Sequence, residues 1–280
     1  MEAVYKLLRE VKVLPPSPQV LPKVLEALRH EQTTLQEVGE LIALDPVLTA
    51  KLLHYCNSVY FSGREPVASV PEAIGRVGFQ TIFALVAAVT GNKSFKLPEN
   101  IGIDGAQLWK HSVTTAFACK FISDDMETDS NLFFTAGLLH DIGRVVLAQA
   151  KGAEYGRLLN EASASGANTA EREKAAYGFT HAEVGACLME TWRLPVLLVQ
   201  AVRFHHQPTA AGFGQKMAAS VCVGNGLAHR FEHPTDDADG GSKEFQGAME
   251  LLGLGSRHLE LYDEQMQENW DFVNRLIEMH

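Results

Sequence analysis

The chain has 280 residues, enough for one large domain or two ordinary ones. Hydrophobic residues make up 46% and charged residues 21%, which excludes a disordered chain. The formal net charge is −10 and no run of five Lys or Arg offsets it, so nucleic acid is not an expected partner.

Read along the chain, almost every segment has helical period. Met1 to Val13 lacks the apolar core of a signal peptide. Leu21, Val24, Leu25 and Leu28 line one helix face, and Val38, Leu41 and Ile42 another. Asp45-Pro46 ends that helix and starts the next, with Pro46 in the first turn. This helix runs to Asn57-Ser58, where a C-cap is the preferred role for Asn57. Ser69, Pro71 and Glu72 form a further helix start. Gln80 to Val89 reads as an apolar helix, and Thr81 to Thr90 is too short to cross a bilayer. The turn residues of Asn92 to Gly105 mark the main boundary. Asp104 and Gln107 open the helix bearing His111. After an acidic loop, Ser123 to Ser130, comes a helix containing His140-Asp141, then an amphipathic helix over Glu154 to Ala164. Thr180 and Glu183 have capping-box spacing, which puts His181 in a first helical turn. The helix from Leu194-Pro195 ends at His205-His206, because Pro208 cannot continue it. Helices over Met217 to Phe231 and Glu260 to Met279 flank a flexible acidic loop, Asp236 to Ser242.

No segment shows sustained strand alternation, so the fold class is all-α. The expected organisation is an N-terminal helical module (1–95), a helical bundle (100–232) and a C-terminal loop and helix (233–280). Cys56, Cys119, Cys187 and Cys222 lie in apolar settings without a CxxC pair, the pattern of reduced core thiols. The expected location is cytoplasmic, away from membranes.

Gly137 to Leu147, GLLHDIGRVVL, places His140 and Asp141 side by side in an otherwise apolar stretch. The two residues are either a buried hydrogen-bonded pair or metal ligands. With His111, His181, His205 and His206 they make six candidate ligands in one part of the chain. Imidazole and carboxylate suit iron, manganese, zinc or nickel, as one or two ions. Neighbouring residues on a helix point about 100° apart, so His140 and Asp141 are not simple pincers. They serve one ion at a helix edge, or two ions bridged by the carboxylate. The same holds for His205 and His206, whose helix C-terminus also favours imidazolium. A cationic His181 is disfavoured at a helix start, which fits a neutral ligand. His54, His229, His233, His258 and His280 are expected to have no chemical role, and Trp109 and Trp192 to be packing residues.

LLHDIGR resembles the HD motif of metal-dependent phosphohydrolases, with His111 of LWKHS in the place of their earlier histidine. LPPSPQVLPKVLEAL, LIALDPVLTAKLLHYCNS, SVPEAIGRVGF, YGFTHAEVGA and HHQP resemble the HDOD domain, over roughly residues 10 to 230. The resemblance implies an HD-like helical bundle and a signalling or regulatory role. It also implies a two-metal ligand set of His111, His140, Asp141, His181, His205 and His206, as in the HD-GYP relatives. Three departures stand out. Asn225 occupies the place of a later aspartate. The Gly-Tyr-Pro signature is replaced by HHQPTAAGFG. Arg144 replaces the usual lysine after the HD pair, where it still suits phosphate.

Two functions follow. The first is a signalling protein that acts in trans, sensing a nucleotide-like ligand or docking with a partner protein. The second is a metal-dependent phosphohydrolase of a nucleotide or cyclic dinucleotide, with Asp141 and Arg144 as catalytic residues. A DNA-binding role for SVPEAIGRVGFQTI is disfavoured, since Gln80 to Val89 carries no Lys or Arg.

Overall fold

A computed structural model describes residues 2–11, 20, 23–24, 27, 33–57, 66–76, 102–232 and 242–278, apart from the side chains of 106 and 272–278. Several expectations lie outside these residues: Leu21, Leu25, Leu28, Ser58, the helix over Gln80 to Val89, most of the boundary segment, the acidic loop to residue 241, His233 and His280. The described residues form helices and no strand. The chain is all-α, as the periodicity predicts.

Helices α1 (Glu2–Glu10), α2 (Leu35–Ala43) and α3 (Pro46–Cys56) precede a helical stretch over 70–76. The bundle follows as α4 (Gly105–Asp125), α5 (Ser130–Leu139), α6 (Ile142–Lys151), α7 (Ala153–Ser165), α8 (Thr169–Tyr177), α9 (His181–Thr191), α10 (Val196–Phe204) and α11 (Gln215–Glu232). Two 3₁₀ turns lie between α10 and α11, and α12 (Lys243–Leu252) and α13 (Ser256–Glu278) close the chain.

Three predicted starts carry their caps, while at the fourth Glu72 accepts from Ala68 N at 3.0 Å instead of from Ser69. Asp45 accepts from Leu48 N at 2.7 Å ahead of Pro46. Thr180 and Glu183 form a complete capping box. Gln107 N donates to Asp104 Oδ1 at 3.3 Å. Asn57 caps α3 and clamps the next segment, donating to Val67 O and accepting from Val67 N at 2.9 and 2.7 Å.

One hydrophobic core runs across the expected boundary. Leu41, Leu48 and Leu52 belong to the same buried cluster as Val113, Leu138 and Val202. Trp109 ties the two parts together by donating from Nε1 to Leu44 O at 2.7 Å, and Trp192 stacks on His54. The N-terminal α1 instead buries Val4 and Leu7 with Ile142 and Val146 of α6 and Val184 of α9. All four cysteines are buried free thiols. No described helix is long and apolar enough to cross a membrane.

Candidate metal centre

The structure corrects the placement of His140 and Asp141. They do not sit inside a helix. His140 caps the C-terminus of α5, and Asp141, at φ −101° and ψ 13°, leaves helical geometry before α6 begins. His140 Nε2 and Asp141 Oδ2 converge to 3.5 Å.

Glycines bring the supporting helices close enough for this. A Cβ at Gly137 would lie 2.8 Å from Ala116 Cα and from Thr115 O on α4. A Cβ at Gly224 on α11 would meet Cys119 Sγ at 2.8 Å and Thr115 O at 3.3 Å. Thus α5 and α11 press on the same stretch of α4, one turn beyond His111. Across the site, a Cβ at Gly143 would stand 1.9 Å from His181 O and 2.7 Å from Gly185 N. Only a glycine there allows α6 to lie against the start of α9.

All six predicted residues come together. Ligand atoms of His111, His140 and Asp141 lie within 4.8 Å of one another, as do those of His181, His205 and His206. Asp141 joins the two groups. Its Oδ1 is 3.1 Å from His181 Nε2, and its Oδ2 faces both His140 and Arg144 Nε, the latter at 2.8 Å. The arginine contact is a close ion pair without hydrogen-bond alignment. His206 Nε2 is 3.0 Å from His181 Nε2, and the His205 and His206 rings lie 3.9 Å apart.

The protein fixes which nitrogen of each ring faces inward. His140 Nδ1 lies 2.7 Å from Gly137 O, and His205 Nδ1 lies 2.7 Å from Val202 O. A carbonyl only accepts, so each Nδ1 carries the proton and each neutral ring presents a lone pair at Nε2. Both are three-residue back-bonds at a helix C-terminus, where carbonyls lack helical partners. His140 Nε2 and His205 Nε2 are buried and make no hydrogen bond. Buried imidazole lone pairs left unsatisfied are costly unless a cation joins them.

Two glutamates that sequence reasoning missed complete the anchoring. Glu173, on α8, is fully buried and meets both the backbone N and the Nδ1 of His181, at 2.6 and 2.7 Å. Tyr155 donates to its other oxygen at 2.6 Å. Glu232, at the end of α11, lies 3.2 Å from His111 Nδ1. Asn225 Oδ1 is 2.8 Å from the opposite nitrogen, His111 Nε2, so the residue in the aspartate's place does face the cluster. His229, set aside in the sequence, packs its ring 4.5 Å from that of His111.

Burial and neighbours set the protonation. Burial pushes His140 and His206 well below the usual histidine value and brings His205 to about 4. For His181, burial opposes the charge most strongly, but Glu173 and Asp141 together outweigh it and raise the pKa to about 9. The carboxylates therefore override the helix-start argument for a neutral His181 in the metal-free chain. Glu232 likewise outweighs burial at His111 and raises it. Burial disfavours the Asp141 carboxylate, yet Arg144 and then His140 and His181 hold its pKa well below the usual range.

The HDOD domain profile matches residues 14–208. The MmoQ response regulator of Methylococcus capsulatus is 25% identical, with a TM-score of 0.68 over 89% of this chain and 97% of its own. A Shewanella amazonensis protein provisionally designated a phosphohydrolase is also 25% identical, with a TM-score of 0.56 over 99% of this chain and 96% of its own. An uncharacterised Treponema pallidum protein is 26% identical over 218 residues, 76% of this chain. The match spans only 41% of that relative's length. With the profile covering well over half of its residues and the helical fold shared with these structures, the chain belongs to the HDOD domain family.

Proposed function

We propose that the cluster is the resident divalent-metal centre of an HDOD signalling protein. His111, His140 and Asp141 would hold one ion and His181, His205 and His206 a second, with Asp141 shared between them. The ligand set suits iron, manganese, zinc or nickel. The observation that carries this reading is the pair of buried Nε2 atoms, on His140 and His205, left without hydrogen bonds while backbone carbonyls fix their Nδ1 protons. Outer partners of this kind orient metal-binding imidazoles. It would sense a nucleotide-like ligand or dock with a partner protein, in keeping with the response-regulator relative.

Arg144 favours a second reading, a metal-dependent phosphohydrolase of a nucleotide or cyclic dinucleotide. Its side chain is 22% exposed and pairs with Asp141 beside the cluster. There it would bind phosphoryl oxygens in a bidentate manner and offset charge developing on them. Bound metal would supply hydroxide at neutral pH. Asp141 would stay ionised and hold Arg144 in place. The Shewanella relative is consistent with this reading.

Metal analysis combined with a phosphodiesterase assay separates the readings. Turnover of nucleotide phosphodiesters in Mn(II) or Fe(II), lost in Arg144→Ala with metal content kept, identifies an enzyme. Metal without turnover across a nucleotide panel leaves the signalling role. Protein that takes up neither ion overturns the centre.

A further inference from the structure

We infer that Glu232 compensates for Asn225, acting through His111 to restore the negative charge that an aspartate at 225 would place on the metal. The inference rests on the proposed metal centre. On the His111 side an ion would meet one carboxylate, Asp141, together with His111 and His140, with the neutral Asn225 amide against the His111 ring. An aspartate at 225 would balance a divalent ion with two.

Glu232 provides a second carboxylate one imidazole away. Asn225 and Glu232 are seven residues apart on α11, about two helical turns, and share a face. They bracket the two edges of one ring: Asn225 Oδ1 is 2.8 Å from His111 Nε2, and Glu232 Oε2 is 3.2 Å from His111 Nδ1. Glu232 does not join the ligand group itself. It is a positioning residue.

Its surroundings call for a cation. The side chain is 5% exposed, Oε1 makes no hydrogen bond, and its ion pair among the described residues is with His111. It also stands at the C-terminal end of a helix, where the macrodipole disfavours an anion. A carboxylate so placed is costly unless positive charge reaches it. His111 donating from Nδ1 to Glu232, with Nε2 turned to a metal, meets that need.

The test is Mn(II) titration of the full chain as parent, Glu232→Gln, Asn225→Asp and the double variant, with melting in EDTA as a control. Glu232→Gln should weaken one of the two Mn(II) sites about 10- to 100-fold, the usual cost of losing an outer partner. In the Asn225→Asp background the same change should cost no more than about twofold, the scatter of independent sites. Melting in EDTA reports separately what the metal-free chain loses when the Glu232–His111 ion pair is removed, so that cost is not read as lost metal affinity. If Glu232→Gln fails to fold, Glu232→Met fills similar volume without charge and takes its place. Unchanged affinity overturns the inference. So does an equal loss in both backgrounds, because Glu232 would then only hold His111 still. A parent chain that binds no Mn(II) at all removes the metal centre and this inference together.

Discussion

The two sides of the cluster are built on one plan and differ in a single donor. Each has an outer histidine backed by a buried glutamate, His111 by Glu232 and His181 by Glu173. Each has a helix-capping histidine whose Nδ1 meets a carbonyl three residues back, His140 and His205. The residue against the Nε2 of the outer histidine is an imidazole on one side, His206, and an amide on the other, Asn225. Near-duplicate scaffolds with an imidazole on one side and an amide on the other predict unequal affinities. The His206 side should hold its ion more tightly.

Removing the shared ligand has the largest expected effect. Asp141→Ala should abolish binding on both sides, a loss of at least about 100-fold by comparison with outer partners. It also removes the carboxylate beside Arg144 and beside His181 Nε2, while His181 Nδ1 keeps Glu173. Metal content and titration check this, and retention of one ion would show that the sides do not share Asp141.

Gly143→Ala attacks the His206 side through the backbone. The new Cβ would meet His181 O at 1.9 Å, so α6 and α9 must part. We expect a stability loss of about 1–3 kcal/mol or more, read by denaturant unfolding in EDTA. Binding by His181, His205 and His206 should fall before that by His111 and His140. An equal loss on both sides would mean the halves move as one body.

Glu173→Gln keeps the shape but weakens the anchor of His181. Affinity on the His206 side should drop about 10- to 100-fold while the other site is spared. Two-site Mn(II) titration distinguishes this from general destabilisation, which would lower both.

The smallest effect is the pH dependence. His181 has a folded pKa of about 9, so near neutrality the metal-free chain carries a proton that an ion must displace. Affinity on this side should rise by up to about tenfold per pH unit and flatten above about 9. For the metal-free protein the same shift is stabilising in full below about 6.5 and is lost as pH rises through the folded value. His205, depressed to about 4, acts oppositely and destabilises as pH falls from its ordinary value toward 4. Affinity that does not change with pH would contradict displacement of a proton at His181.

Much of this centre was legible in the sequence. Capping chemistry placed His181 at a helix start, and Pro208 placed His205 and His206 at a helix end. The break at His140-Asp141 was not legible, because no glycine or proline separates the two residues. Gly137 and Gly143 flank the pair and serve helix contacts instead. Glu173 was hidden because Thr169–Tyr177 is polar on all sides and shows no apolar stripe. The available signals were the Asn168 cap, which accepts from Glu171 N, and Gly178 at the other end. Glu232 looks like a surface residue beside an acidic loop, and only the approach of α11 to α4 buries it. His229 was dismissed for the same reason.

The central claim is that the six residues form a metal centre. Elemental analysis of the protein purified without chelator, and again after anaerobic incubation with Mn(II) or Fe(II), tests it most directly. The account predicts tightly held metal, approaching two ions per chain after loading, with the second ion the weaker. A chain that remains metal-free under both conditions would contradict it.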